Sequence, residues 1–407
     1  MKLPIYLLTA CAAATVGGTS CGRQPSAAPD PMALRAAETL DSLYSHYGID
    51  SSSLLRENHP FDQTFKAGYL AGDDGQQGNP YSYLWPFSGT LSATRALYGA
   101  TADTAWIQLI DNRIMPGLDN YLDTLRAPAA YASYVSSAPA SDRFYDDNVW
   151  LGIDFAELYL ASGRRDYLDT AESIWKFIES GTDSILGGGI YWCEQKKGSK
   201  NTCSNAPGAV YALRLFEATA DSSYLRQGEE LYRWTKTTLQ DTTDCLYFDN
   251  MSLDGNIGRA KFAYNSGQMM QAATLLYNAT GNPAYLYDAR SIAGSAFSRF
   301  FNGGEAADSL GTFPLIGKGN VWFTAVMMRG FNELYKADGD PQYMDAFMRN
   351  LDHAWLSMRD ADTGLFNEDW SGAEKTDKKW LLTQGAMAEM LALAAEYNSR
   401  KNQPIHK

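Results

Sequence analysis

Residues 149–178 read VWLGIDFAELYLASGRRDYLDTAESIWKFI, and their hydrophobic pattern changes halfway along. The first part, 149–159, is apolar on nearly every side, which is typical of a helix surrounded by other protein. Ser162 and Gly163 then indicate a turn. Beyond it, 167–178 places apolar side chains at helical spacing along one face only. The segment therefore predicts a buried helix, a tight turn and an amphipathic helix packed against it.

The same pattern recurs along the chain about every sixty residues. A leucine followed by an aromatic residue marks the end of each first helix, and the leucines lie 61, 57, 61 and 58 residues apart. Nine residues after each leucine, beyond a turn, comes another aromatic residue. The sets are Leu97-Tyr98 with Trp106, Leu158-Tyr159 with Tyr167, Leu215-Phe216 with Tyr224, Leu276-Tyr277 with Tyr285, and Leu334-Tyr335 with Tyr343. A sixth copy, without its second helix, spans 384–397.

Six buried helices with amphipathic partners predict an all-α fold, an (α/α)6 barrel of six inner and six outer helices. The alternative is an open α-solenoid, in which the repeats stack without closing. Long loops that differ from repeat to repeat favour closure. The six units take up nearly all of 32–407, which is therefore expected to be a single catalytic domain.

The composition excludes several classes of protein. With 45% hydrophobic and 20% charged residues the chain is neither disordered nor fibrous. Its 34 Lys and Arg against 47 Asp and Glu argue against a nucleic-acid partner. The 10 Trp and 25 Tyr exceed the needs of a core and suit stacking on sugars. The four histidines have no ligand-like spacing, so we expect no metal or other cofactor, and we expect a monomer.

The first twenty residues, 1–20, predict an export signal of the lipoprotein type. A basic start is followed by an apolar run over 3–18, which is too short for a membrane span, and by small residues before Cys21. Small residues directly before a cysteine resemble the lipobox of bacterial lipoproteins, which would make Cys21 the lipidated first residue. The segment 8–11 fits the same pattern but leaves too short an apolar region. The alternative is a plain secreted protein cut near Ser20.

Residues 21–31 are a flexible tether by composition. The expected location is therefore outside the cytoplasm, with the protein lipid-anchored to a bacterial outer membrane, on the cell surface or on the periplasmic face. Under oxidising conditions we expect Cys193 and Cys203 to be able to close the glycine-rich loop between them. Cys245 is then left over and is expected to be buried.

A polar residue marks the predicted start of each buried helix and is a good candidate N-cap. These residues are Ser88, Asn148, Asn205, Asn265, Asn320 and Thr383. Closure of the barrel would bring all six starts to one end. The longest and least repetitive loops enter there as well, and loops on a rigid scaffold carry binding and chemistry. The loops are 126–144, 181–204, 241–264, 301–319 and 359–379.

Asp146 and Asp147 lie side by side at one of these starts. An acidic pair at a helix start also complements the helix dipole, which is the simpler explanation. At a rim where six helices converge, however, two close carboxyl groups cannot both ionise easily, so one pKa rises while the other stays low. That difference supplies a nucleophile and a proton donor. Retaining glycoside hydrolysis needs carboxyl groups about 5–5.5 Å apart, within reach of neighbouring residues, against about 6.5–9.5 Å for inversion.

With these residues the chain resembles glycoside hydrolase family 76, the endo-α-1,6-mannanases, over nearly its whole mature length. Four segments together carry the resemblance: 145–150 (YDDNVW), 187–192 (GGGIYW), 200–205 (KNTCSN) and 264–267 (YNSG). The turn at 280–286 supports it. The resemblance implies retaining hydrolysis in an (α/α)6 barrel, with Asp146 as nucleophile and Asp147 as general acid/base. It also implies a groove for α-1,6-mannan or manno-oligosaccharides. The assignment of the two roles rests on the resemblance alone.

Further residues near the helix starts are candidates for binding the sugar. They are Asn148, Trp150, Trp192, Lys200, Asn201, Asn205, Asp249, Tyr264 and Asn265. For Trp150 and Trp192 the alternative is packing between helices, and for Lys200 it is a solvated surface position. Trp85 and Phe87 could line a distal subsite, although core packing is favoured. The cluster 367–370 (NEDW) is interpreted as a loop anchor rather than a remote subsite.

Three other functions fit parts of the pattern. A non-catalytic glycan-binding lipoprotein on the same scaffold predicts a decayed acidic pair, whereas both aspartates are present. Another (α/α)6 carbohydrate enzyme, such as an unsaturated glucuronyl hydrolase, needs basic residues for its anionic substrate, and a sugar epimerase needs positioned histidines. A structural adaptor predicts a flat face without an acidic pair.

Overall fold

The computed structural model describes residues 29–66 and 79–402. The predicted signal peptide 1–20, Cys21 and most of the predicted tether lie outside the described residues. The first helix begins at Pro31, one residue before the expected domain boundary, and the carboxylate of Asp30 caps it by accepting a hydrogen bond from the Met32 amide at 2.8 Å.

The helices follow in chain order, with bounds that match the repeat. They are α1 Pro31–Tyr47, α2 Leu84–Thr101, α3 Thr104–Leu109, α4 Met115–Leu118, α5 Tyr145–Ser162, α6 Arg165–Ser180, α7 Thr202–Thr219, α8 Ser222–Leu239, α9 Ala263–Thr280, α10 Pro283–Phe300, α11 Val321–Asp338, α12 Gln342–Ser357 and α13 Leu381–Lys401. A π-helical turn, Ile110–Ile114, joins α3 to α4, and a 3-10 turn spans Ile185–Gly187.

Six helices, α2, α5, α7, α9, α11 and α13, form the inner ring. Each contacts the next in chain order, and α13 contacts α2, so the ring closes. Each inner helix is buried along most of its length, as its uniformly apolar sequence predicts. The structure therefore confirms the (α/α)6 barrel and excludes the open solenoid.

The outer ring consists of α6, α8, α10 and α12, the broken unit from α3 to α4, and α1. Helix α1 packs against both α13 and α2. Within the described residues the last repeat has no outer helix of its own, and α1 takes that position and covers the junction where the ring closes. The 60-residue period gave no indication of α1, because this helix precedes the first copy of the repeat.

A left-handed residue ends each of the first five inner helices and explains the repeating leucine–aromatic pair. The amide of this residue donates to the carbonyl of the aromatic residue four positions earlier, while the leucine is buried in the core. The φ values are 54°, 72°, 59°, 68° and 73° for Ala102, Gly163, Ala220, Gly281 and Gly339.

The predicted N-caps are wrong at five of the six helix starts. Only Asn320 is an N-cap, and it accepts from the Trp322 amide at 2.8 Å. The other five, Ser88, Asn148, Asn205, Asn265 and Thr383, lie inside the first turns of their helices, because each helix begins two to four residues earlier than predicted.

Asn148 and Asn205 fasten neighbouring loops to the helix starts. The Asn148 amide accepts from the Tyr131 backbone N–H at 2.8 Å and donates to its carbonyl at 2.9 Å. Asn205 pairs with the backbone of Ile190 in the same way, at 2.6 and 2.9 Å. A side-chain amide thus takes the place of a neighbouring strand, which satisfies two buried backbone groups of the loop.

Short antiparallel strands organise the loops. They are β1 Asn58–His59 paired with β9 Lys379–Trp380, β2 Leu122–Asp123 with β3 Ala130–Tyr131, β4 Ser199–Asn201 with β5 Asn250–Ser252 and β6 Ile257–Gly258, and β7 Glu305–Asp308 with β8 Gly311–Pro314. The β4–β5 register places Asn201 opposite Asn250. The β1–β9 pair ties the start of the barrel to its last inner helix.

A network of charged side chains lies inside the ring, below the loops. Arg329 contacts Glu389 through two hydrogen bonds, at 2.6 and 3.0 Å, and Arg95 contacts Asp154 at 3.1 Å and Glu157 at 2.6 Å. These residues come from α2, α5, α11 and α13, so the network cross-links inner helices that are distant in sequence.

Candidate active site

A cleft of about 1090 Å³ opens at the end of the barrel where the inner helices begin. Its walls come from the loop 133–142, from β4 and β5, and from the first turns of five inner helices. Aromatic side chains make up much of the surface: Tyr81, Tyr83, Trp85, Tyr134, Phe144, Trp150, Trp192, Phe262, Tyr264, Trp322 and Phe323. The size and the lining suit a ligand with several flat apolar faces.

The second residue of five inner helices lines this cleft. These residues are Trp85, Asp146, Cys203, Tyr264 and Trp322. Each precedes its repeat leucine by twelve residues, so the spacing of 61, 57, 61 and 58 residues carries over from the core to the site. The closed ring thus converts a linear repeat into a circle of side chains around one cavity.

Asp146 and Asp147 lie in the first turn of α5, and both carboxyl groups line the cleft. The Tyr145 amide, directly before them, donates to the Trp192 carbonyl at 2.9 Å. This bond joins the helix start to the segment that follows the glycine run 187–189. Both aspartates are half-buried, so their side chains face the cavity rather than bulk solvent.

Three donors hold the Asp146 carboxylate. Its Oδ2 accepts from Trp192 Nε1 at 3.0 Å and from Cys203 Sγ at 3.3 Å, and its Oδ1 accepts from the Asp147 amide at 3.1 Å. Burial raises the pKa of Asp146 to about 6, and these three donors limit the rise.

Asp147 differs from Asp146 in its surroundings. None of the described residues donates a hydrogen bond to its carboxyl group. Burial, and next the charge on Asp146, raise its pKa well above the usual range. Asp146 therefore ionises first and Asp147 keeps its proton, which gives the pair one carboxylate and one carboxylic acid.

Tyr264, Cys203 and Asp249 continue this arrangement on the other side of Asp146. Cys203 directs its thiol proton to Asp146 Oδ2, and Tyr264 lines the cleft from the same position of α9. Asp249 accepts from Asn250 Nδ2 at 2.7 Å, and burial raises its pKa. Asn265 lies behind Asp249, buried, and its amide opposes that rise.

Aromatic rings from α2, α5, α9 and α11 pack against one another and form a wall of the cleft. Trp322 packs edge-on against Trp150 and Trp85, with centroids 5.0 and 5.2 Å away, and Phe323 stacks on Tyr264 at 4.2 Å. Trp85 lines the cleft, whereas Phe87 is buried in the core.

The structure places five of the predicted binding residues in the cleft and four outside it. Trp150, Trp192, Asn201, Asp249 and Tyr264 line the cavity. The other four, Lys200, Asn148, Asn205 and Asn265, are fully buried and do not line it.

Lys200 departs most from its prediction, which left open a contact with sugar hydroxyls or a solvated surface. Its ammonium group donates to Asp183 at 2.7 Å and to the carbonyls of Ile185 and Gly188 at 2.8 and 2.7 Å. Burial lowers the pKa of Lys200, and Asp183 opposes this. Alternation along β4 explains the difference, because Lys200 points away from the cleft that Ser199 and Asn201 line.

The predictions for the cysteines are also wrong. Cys193 and Cys203 are both buried and free, and Cys245 is half-buried rather than buried. The residues 367–370 anchor their loop, in agreement with the interpretation of the sequence: Trp370 is buried, and the Asn367 amide donates to the Met358 carbonyl at 2.8 Å.

The sequence-based predictions left out several aromatic residues that line the cleft: Trp322, Phe323, Phe262, Tyr81, Tyr83 and Tyr134. Trp322 and Phe323 lie two and three residues after Asn320, which the pattern had identified as a helix start. Counting back twelve residues from each repeat leucine would have found Trp322. The tyrosines at 81, 83 and 134 lie in segments without a repeat, so no comparable signal marked them.

The charges in the cleft have one sign. Its acidic side chains are Asp142, Asp146, Asp147 and Asp249, and no lysine, arginine or histidine is found among the described residues that line it. A uronic acid would meet no cation here, whereas a neutral, hydroxyl-rich ligand would meet acceptors and aromatic faces.

The fold is a closed helical barrel, and its aromatic cleft disfavours anions and contains an unequal pair of acids. These features define the class of the protein as a glycoside hydrolase. The sequence model described as glycosyl hydrolase family 76 matches residues 59–407. The chain belongs to that family.

Solved structures agree with this assignment. A family 76 mannosidase from Bacteroides thetaiotaomicron is 32% identical with a TM-score of 0.81, over 92% of this chain and 100% of that chain. An inactive variant of an α-1,6-mannanase from Salegentibacter sp., changed at two adjacent aspartates and bound to α-1,6-mannotriose, is 24% identical with a TM-score of 0.70. That match covers 89% of this chain and 99% of that chain, and at this identity it supports the fold alone.

A curated relative matches over a shorter region. The mannan endo-1,6-α-mannosidase DFG5 of Saccharomyces cerevisiae is 29% identical over 152 residues, 34% of this chain and 33% of its own length. The chain spans about a third of the length of the curated relatives it matches.

Proposed function

We propose that this hydrolase cleaves α-1,6-mannosidic bonds in the backbone of mannan or manno-oligosaccharides, with retention of configuration. The observation that carries the proposal is the unequal pair Asp146 and Asp147, which share one cleft with an aromatic wall. The sugar is inferred from the family 76 mannosidase, and the linkage from the yeast mannan endo-1,6-α-mannosidase named above.

In the first step, the Asp146 carboxylate attacks the anomeric carbon of the mannose next to the scissile bond. Asp147 gives its proton to the leaving oxygen as the glycosidic bond breaks, so the leaving chain departs as a neutral alcohol. Three hydrogen bonds hold Asp146 in one orientation for this attack.

In the second step, water replaces the enzyme at the anomeric carbon. Asp147, now ionised, takes a proton from the water, and the bond between Asp146 and the sugar breaks. The two inversions return the original anomeric configuration, and both aspartates regain their starting protonation. The wall of Trp150, Trp322 and Tyr264 offers faces on which the sugar rings can stack.

The test of substrate and residues is a product analysis. The mature protein is incubated with debranched α-1,6-mannan, alongside Asp146→Asn, Asp147→Asn and Asp308→Asn, the last being a control in the distant β7 strand. The proposal expects short manno-oligosaccharides from the parent and the control and none from the two site variants. Parental activity in either site variant would contradict the assigned roles.

Stereochemistry requires a separate measurement. Proton NMR of the first product formed from an α-1,6-manno-oligosaccharide distinguishes the α anomer, which retention gives, from the β anomer, which inversion gives. A first-formed β anomer would contradict retention and leave the hydrolase assignment intact.

The non-catalytic alternative, a glycan-binding lipoprotein, predicts binding of mannan without release of product in the same assay. The uronyl hydrolase alternative predicts activity on unsaturated uronides, which is disfavoured because the described residues that line the cleft include no cation.

We also propose that the protein is exported, lipid-anchored at Cys21 and monomeric. No helix among the described residues is long and apolar enough to cross a membrane. Metabolic labelling with a radioactive fatty acid tests the anchor: the parent should carry the label and Cys21→Ala should not. Fractionation and protease accessibility of whole cells would distinguish the cell surface from the periplasmic face, and light scattering tests the monomer.

A further inference from the structure

Cys203 occupies a position that ordinary core packing does not require. It is the second residue of α7, only 4% exposed, and it lines the cleft beside Asp146. Its sulfur lies 3.3 Å from Asp146 Oδ2, within the range of a thiol hydrogen bond. Tyr264 holds the corresponding position of α9 and lines the same cleft.

The distribution of donors over Asp146 is unequal. A carboxylate offers about two lone-pair sites on each oxygen. On Oδ2, Trp192 and Cys203 fill both sites, whereas on Oδ1 the Asp147 amide fills one. Oδ1 is therefore the oxygen that keeps a lone pair for an incoming sugar.

We infer that Cys203 is a positioning residue: its thiol donates to Asp146 Oδ2 and directs the attack on the sugar through Oδ1. The inference rests on the proposed function, because it assigns a role toward the proposed nucleophile. It also gives Cys203 a role that its place in the sequence, in a loop with a second cysteine, did not suggest.

The groups around Asp146 decide what the thiol does. Asp147 lies on the same helix, Cys203 on α7, Tyr264 on α9, and Asp249 precedes β5. Each of these becomes negative or stays neutral on titration, so donated hydrogen bonds are what favour the ionised form of Asp146. Loss of one donor should make Asp146 harder to ionise.

The test is the pH dependence of kcat/KM for mannan hydrolysis in Cys203→Ala and Cys203→Ser. Cys245→Ala is the matched control, because this free cysteine lies outside the cleft. In the alanine variant, loss of a weak donor to a charged acceptor should move the acid limb to higher pH by about half a unit to one unit. The acid limb of the serine variant, which restores a donor, should lie closer to that of the parent. The acid limb of the control should coincide with that of the parent.

Two results would overturn the inference. One is a folded Cys203→Ala protein whose acid limb coincides with that of the parent. The other is an equal loss of activity at every pH in both Cys203 variants, which is the behaviour of a structural residue. If the alanine variant does not fold, Cys203→Val, whose apolar side chain of similar size has no donor, should move the same limb in the same direction, and an unmoved limb contradicts the inference. An inactive parent would instead contradict the proposed function.

Discussion

Replacing Trp192 by phenylalanine removes one hydrogen bond to Asp146 and keeps an aromatic ring in the cleft. The indole Nε1 lies 3.0 Å from Asp146 Oδ2. A hydrogen bond to a charged group contributes about 1.5–3 kcal/mol, and at about 1.4 kcal/mol per pKa unit its loss should raise the Asp146 pKa by about one unit or more.

The sign of the effect follows from the role of Asp146. It attacks as a carboxylate, so activity on the acid side is lost as pH falls through its pKa, which lies at about 6. A rise of one unit moves the acid limb to higher pH. At pH 5 the ionised fraction then falls about ninefold, whereas at pH 8 it changes by only about a tenth.

The assay is kcat/KM for α-1,6-manno-oligosaccharides between pH 4 and 9. Trp234→Phe is the matched control, because its indole donates to the Leu186 carbonyl at 2.9 Å, outside the cleft. An acid limb at the parental pH in folded Trp192→Phe, or an equal shift in the control, would show that the Trp192 hydrogen bond does not set the pKa of Asp146.

Three further predictions concern residues that hold the site in place, each checked by urea denaturation. Lys200→Met should lower the free energy of unfolding by about 2–3 kcal/mol, because it leaves Asp183 and two loop carbonyls without their buried donor. Lys318→Met, which breaks an exposed ion pair, should leave the free energy of unfolding unchanged. Unchanged stability of Lys200→Met together with a raised KM would place Lys200 in sugar binding instead. Asn205→Ala should cost about 1–3 kcal/mol, since it leaves two buried backbone groups of the loop at Ile190 unpaired, and parental stability would contradict the clamp. Glu389→Gln should cost about 3 kcal/mol because it removes the charge that forms two hydrogen bonds with buried Arg329, and a stabilised variant would show that this ion pair is dispensable.

Much of the fold could be predicted from the sequence because the repeat records it directly. The leucine of each pair is buried in every copy, and the residue four positions after each aromatic takes the left-handed conformation that ends the helix. Helix α1 could not be found in this way. It fills the outer position of the last repeat but lies at the opposite end of the chain, so only closure in three dimensions brings the two together.

The site was predicted in part, for a related reason. Asp146 and Tyr264 were found because short motifs marked them, and both lie at the second position of an inner helix. Lys200, Asn148 and Asn205 were assigned to the sugar because polar residues near a cavity suggest binding. No local motif indicates that these side chains form their hydrogen bonds with loop backbone instead. The contact of Cys203 with Asp146 joins α7 to α5 and appears only once the ring is closed.

In the proposed mechanism, Asp146 attacks the sugar while Asp147 carries the proton. The most direct test treats the protein with a 2-deoxy-2-fluoro-α-mannosyl donor that has a good leaving group, then maps the modified peptide by mass spectrometry with fragmentation. The proposed mechanism predicts one fluoromannosyl group bound through the carboxyl of Asp146. A label on Asp147, or full turnover of natural substrate by a protein labelled elsewhere, would contradict it.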